Sequence, residues 1–179
     1  MMKKVTFIAL VVCLMAAANT VQAQNVVKIN ILSPIVKTFN ISYERAINET
    51  SSFQLGFFYS GWSNDVTKFN GFGITPEYRF YLSQTAAPEG VYVAPFLRYQ
   101  KFSIEDKEFS DDNADFSAFG GGVVIGKQWV FKEKITLDIF LGPAYYSGKV
   151  SGESGDSSWD TDVFDGFGLR TGINFGFKF

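Results

Sequence analysis

Over residues 165–179 the chain alternates without a break. Phe167, Leu169, Thr171, Ile173, Phe175, Phe177 and Phe179 fall on one face, and Gly166, Gly168, Arg170, Gly172, Asn174, Gly176 and Lys178 on the other. A period of two marks an extended strand whose faces meet different surroundings. The run is far longer than the ~5–6 residues of an ordinary globular strand, and it covers the ~9–11 residues that a tilted strand needs to cross a bilayer.

The pattern recurs upstream. Ile135, Leu137, Ile139 and Leu141 alternate with Thr136, Asp138, Phe140 and Gly142, and Phe119, Gly121, Val123 and Ile125 with Gly120, Gly122, Val124 and Gly126. Before them, Val91, Val93, Leu97 and Tyr99 oppose Arg98 and Gln100, while Phe72, Ile74, Tyr78, Phe80 and Leu82 oppose Thr75, Glu77 and Arg79. Three further strands are read over 52–62, 39–47 and 26–32. Eight antiparallel strands in sequence predict an all-β, up-and-down transmembrane barrel, with the even count that single-chain bacterial barrels require. Short periplasmic turns are expected at 48–51, 84–90 and 129–133, and longer outer connections at 63–70, 103–115 and 147–164; the first outer connection, 33–37, is short. Pro76, Pro95 and Pro143 fall inside strands, where proline removes a ladder donor, so local bulges, or strand ends closer than drawn, are expected there.

The start of the chain follows another logic. Lys3 and Lys4 precede an apolar stretch over 5–18, and Val21-Gln22-Ala23 offers a signal-peptidase site after Ala23. Residues 1–23 are therefore read as a cleaved export signal and 24–179 as one barrel domain. The apolar run is shorter than the ~20 residues of a spanning helix. No later segment resembles such a helix, so membrane residence falls to strands. Cys13, the one cysteine, lies in the leader, which leaves no thiol, disulfide or Cys-ligated metal in the mature part.

Alternation alone does not say which face is outside, because a soluble ligand-binding barrel alternates too. The polar face decides. It mixes glycine with Lys28, Glu44, Glu77, Arg79, Arg98, Asp138 and Arg170, a combination of small residues and opposite charges that suits the cramped inside of an eight-stranded barrel. Charges taken out of water must pair, so these seven are expected to form a structural ion-pair network in the lumen. The apolar face then meets lipid. Tyr43, Trp62, Tyr81, Trp129, Tyr145 and Tyr146, near strand ends, are expected in the interfacial aromatic girdles. A chain that is 17% aromatic and holds 17 glycines favours this architecture over a helical one.

The segments Gly71-Phe72-Gly73-Ile74-Thr75-Pro76-Glu77-Tyr78-Arg79-Phe80-Tyr81 and Val91-Tyr92-Val93-Ala94-Pro95-Phe96-Leu97-Arg98-Tyr99, with Asn40-Ile41-Ser42-Tyr43-Glu44-Arg45 before them, resemble a widespread outer-membrane barrel family defined as a domain of unknown function. In architecture the chain is similar to the transmembrane domain of OmpA and to the small adhesion and opacity barrels. The resemblance implies a fold and a place, the outer membrane of a Gram-negative bacterium reached after export, and no reaction. Phe175, Phe177 and Phe179 together resemble the C-terminal signal recognised by barrel-assembly machinery. That machinery, outer-membrane lipid and lipopolysaccharide are the expected partners.

Charge and chemistry narrow the function. The net charge is −2 with no basic patch, so nucleic acid is not an expected partner. There is no histidine, the usual base or orienter in hydrolytic barrels, and neither a catalytic residue nor a cofactor is expected. Glu105, Asp106, Glu108, Asp111, Asp112 and Asp115 crowd one outer loop, and Glu153, Asp156, Asp160 and Asp162 the next. Such oxygen-rich clusters could meet divalent cations, although their spacing completes no EF-hand and acidic loops are usually just solvated. The expectation is a non-enzymatic barrel, structural or surface-interacting, that presents acidic extracellular loops; the alternative is a small-solute channel.

Overall fold

The computed structural model describes residues 24–63, 67–106, 113–152 and 166–179. The expected signal peptide at 1–23 lies outside them. Eight strands run β1 (Asn25–Asn30), β2 (Thr38–Asn48), β3 (Ser51–Ser63), β4 (Thr67–Tyr81), β5 (Gly90–Asp106), β6 (Asn113–Phe131), β7 (Ile135–Gly152) and β8 (Gly166–Lys178). Each pairs antiparallel with its sequence neighbours, and β1 pairs with β8 to close an up-and-down barrel. The closing seam ends on a reciprocal pair of backbone bonds: the Asn25 N–H donates to the Phe179 carbonyl at 3.0 Å, and the Phe179 N–H to the Asn25 carbonyl at 2.9 Å.

The alternation read from the sequence becomes an inside and an outside. Phe57, Ile74, Leu97, Ile125, Leu141 and Phe175, on six different strands, are exposed on the outer wall, while the charged and small residues between them are buried. This inverts a water-soluble barrel, which hides its apolar face. Glycine gives the inner layer room for its larger members. At Gly126 a Cβ would lie 2.5 Å from the Tyr92 ring, and at Gly172 it would lie 2.7 Å from the Phe140 ring, so both rings need a bare backbone opposite them.

Three expectations need correction. The strands run further than drawn: β6 passes through Trp129 to Phe131, and β5, β6 and β7 extend into the stretches expected as outer loops at 103–115 and 147–164. The pairs Ser103↔Asp115 and Glu105↔Asn113 explain this, since backbone groups that pair with each other need no loop to meet water. The prolines cause no bulge. Register is the same on both sides of each; Pro76 and Pro95 merely interrupt the β4–β5 ladder, and Pro143 the β6–β7 ladder. Each proline's missing donor faces one neighbour, and the opposite pairings Leu55↔Pro76, Pro95↔Val123 and Pro143↔Leu169 are intact. Among the described ladders the register shifts instead between Ala46 and Asn48, beside a turn. Finally, Tyr81 is buried inside the barrel, and Tyr146 packs against the interior cluster rather than in an outer girdle.

The two ends differ. At the end with both termini, the turns 49–50 and 132–134 are tight. The latter carries Lys132 and Glu133 at φ 50° and 61° with a Lys134 N–H to Phe131 carbonyl bond, the signature of a type I′ hairpin. At the other end β1 stops early. The Asn30 side chain accepts from the Leu32 and Ser33 N–H groups and bends the chain into a 3₁₀ turn, Ser33–Val36. Consequently, among the described residues, 166–172 of β8 pair only with β7, and 38–40 of β2 only with β3. The wall has a notch there.

Candidate functional site in the lumen

The turn-end half of the lumen is a closed set of charges, delivered by inward positions on four strands. Lys28 of β1 lies 2.5 Å from Glu44 of β2 and 3.3 Å from Asp138 of β7. Arg79 of β4 reaches Glu77 at 2.6 Å, Asp138 at 3.1 Å and Glu44 at 3.6 Å. All five side chains are fully buried. Gln128 of β6 sits among them, accepting from Lys28 at 2.5 Å and Arg79 at 3.2 Å while donating to Glu44 at 3.2 Å. The remaining carboxylate lone pairs are filled by neutral donors: Tyr81 at 2.6 Å and Ser52 on Glu44, and Tyr92 at 2.7 Å and Asn174 at 3.1 Å on Asp138. A buried ion pair endures only when such bonds complete it, and here both acids are surrounded. The Arg79 guanidinium also stacks 4.2 Å from the Tyr92 ring centroid.

The connection 82–89 folds over this mouth. Its Ala87 N–H donates to the Glu49 carbonyl at 2.8 Å, and the Gln128 amide donates to the Pro88 carbonyl at 2.6 Å. Ala87 and Pro88 are buried, so backbone caps what the ion pairs fill.

The other half is looser. Glu77 reaches across to it, giving its second oxygen to Arg170 of β8 at 2.6 Å. Arg98 of β5 donates to Thr75 at 3.1 Å and lies 5.0 Å from the Phe58 ring, yet among the described residues no carboxylate is within 4 Å of it. Both arginines line a cavity of about 170 Å³ that also touches Asn30, Asn40, Leu169 and Thr171, the rims of the notch. Phe58, Phe69, Phe102 and Phe116 form an aromatic group on the β3–β6 side, with ring centroids 5.5–6.1 Å apart.

Of the seven lumen residues singled out in the sequence, six are thus joined in one chain of ion pairs, and Arg98 stands apart. Gln128, Tyr81 and Tyr92 complete the network and were not among them. The acidic loop residues Glu108, Asp111, Asp112, Glu153, Asp156, Asp160 and Asp162 lie outside the described residues. Asp115 is described, on the projecting β5–β6 hairpin, with Lys101 at 2.5 Å and the Ser103 hydroxyl at 2.6 Å. Those bonds, Lys101 first, hold its carboxyl below the ordinary range, and Asp115 in turn raises Lys101.

A family model described as "Protein of unknown function (DUF3575)" matches residues 7–152. Among curated proteins no sequence matches significantly. Among solved structures the chain is similar to a major outer membrane protein from Thermus thermophilus, at TM-score 0.58 and 13% identity, over 89% of this chain and 100% of that one. It is also similar to Ail, the attachment invasion locus protein of Yersinia pestis, at TM-score 0.50 and 14% identity with the same coverage. These likenesses are of fold.

Proposed function

Because the chain belongs to the DUF3575 family of proteins of unknown function and has the closed eight-stranded fold seen in outer-membrane proteins, we propose that it is an outer-membrane barrel that acts without catalysis, structurally or through surface contact. The turn end faces the periplasm, and the longer hairpins with their acidic loops face outward. The observation that carries this reading is the fully buried set Lys28, Glu44, Glu77, Arg79 and Asp138 with Gln128, which fills the turn-end half of the lumen beneath an apolar outer wall. An eight-stranded barrel has an interior just wide enough for side chains, and toward the turns they occupy it. A structural role follows for the network: it sets the barrel's packing and seals it against solute flow. Purified barrel in planar bilayers is expected to give no steady conductance. Sustained unitary currents would replace this reading with the small-solute channel.

The C-terminal strand has a second task in this account. Its outward Phe175, Phe177 and Phe179 are presented to the assembly machinery and to lipid, and the last residue also holds the seam to Asn25. Removing Phe179 should lower the amount inserted in the outer membrane; undiminished insertion would count against this role.

A further inference from the structure

The inner charges do not balance where the wall is open. Among the described residues the lumen holds Lys28, Arg79, Arg98 and Arg170 against Glu44, Glu77 and Asp138. Glu77 pairs through one oxygen with Arg79 and through the other with Arg170, while among the described residues Arg98 has no carboxylate within ion-pair distance. Arg98 and Arg170 line the same cavity, near enough for each charge to act on the other. Two like charges inside low-dielectric walls, with one carboxylate between them, attract an anion.

We infer that this cavity binds a phosphate group, with Arg98 as its main ligand and Arg170 as the second. The guanidinium is a fork of fixed donors suited to phosphate oxygens. Two forks arriving from β5 and β8 suit a group that offers oxygens in several directions, as a phosphate does and a single carboxylate does not. Stacking holds them ready: Arg98 rests against Phe58, and Arg170 lies 4.3 Å and 4.7 Å from the Phe96 and Phe140 rings. The cavity, about 170 Å³, has room for a phosphate and a short ester arm. Access is sideways through the notch. Leu169 lines the cavity and is 69% exposed, and Phe167 beside it is 88% exposed, so the rim on β8 is apolar where the pocket behind it is cationic. That geometry admits a free phosphate, and equally a phosphate carried by a lipid whose tails stay on the outer wall.

The test uses the folded barrel in maltoside micelles and phosphate-free buffer, titrated with inorganic phosphate in one arm and with phosphatidylglycerol in another. The Arg170 Nε–H signal in NMR, present in the parent and in both variants below, is the readout. Saturable movement in the first arm is expected for a free-phosphate site, and movement in the second arm alone for a lipid headgroup site. Arg98→Gln should weaken the binding at least tenfold, whereas Lys101→Gln, on the hairpin above, should leave it unchanged. Both variants should keep the folded, fast-migrating band on an unboiled gel, because neither residue belongs to the buried network. Absence of saturable binding in both arms, or equal binding by folded Arg98→Gln, overturns the site.

Discussion

The two halves of the lumen are built from the same residue types and come out differently. Toward the turns, Glu44 and Asp138 are ringed by cations and neutral donors, and a backbone cap completes the seal. Toward the notch, Arg98 has hydroxyls and a ring for company, and the space beside it is open. The cause is in strand length. Seven long strands and one short one give a wall that is complete near the turns and broken where β1 stops at Asn30. The complete half can therefore exclude water and must pair its charges; the broken half need not. The proposed roles follow this division, with stability in the first and binding in the second.

This contrast can be broken most severely at Glu77, the one acid shared by both halves. Glu77→Ala leaves Arg79 and Arg170 short of a partner, and removing one member of a buried pair costs about 3–5 kcal/mol. The folded band on unboiled gels should vanish at a clearly lower temperature than in the parent. Overfilling should act next. Gly126→Ala places a methyl against the Tyr92 ring, and against the Ile139 carbonyl 2.8 Å away, which would push the phenol off Asp138. A loss of about 1–3 kcal/mol in urea unfolding is expected.

Smaller effects lie outside the lumen. Lys132 and Glu133 occupy left-handed backbone that the turn demands and their side chains resist. The double change Lys132→Asn with Glu133→Gly should stabilise by about 0.5–1 kcal/mol, read as a higher urea midpoint at unchanged slope. Least of all should come from the exposed pair Lys101 and Asp115. Because Asp115 titrates lower when folded than unfolded, its contribution is present above the unfolded carboxylate pKa and fades as pH falls through the folded one. A titration of the Asp115 carboxyl by NMR should show its midpoint rise toward the ordinary value in Lys101→Gln.

Much of this was legible in the sequence, because a period of two assigns faces without knowledge of what the faces touch. The outward positions of β4 to β8 are those read from alternation. The errors arose where residue type was allowed to outrank phase. Tyr81 shares its phase with Glu77 and Arg79 and so points inward, but an aromatic residue near a strand end looked like part of a girdle. Tyr92 shares its phase with Arg98, and Gln128 continues the row Gly120, Gly122, Val124, Gly126; following the phase to the end of each strand would have found both. Charge pairing was harder. Arg98 and Arg79 look alike along the chain, and only the closed barrel, with its particular stagger, brings three acids to one and, among the described residues, none within ion-pair distance of the other. The early end of β1 depends on a side-chain bond from Asn30, which leaves no periodic trace.

The central claim, that the turn-end charges hold the barrel while Arg98 does not, is tested most directly by urea unfolding of Asp138→Ala and Arg98→Gln side by side in the same lipid. The first should lose about 3–5 kcal/mol and the second under about 1 kcal/mol. Equal losses in the two variants would contradict the division of the lumen into a load-carrying half and a binding half.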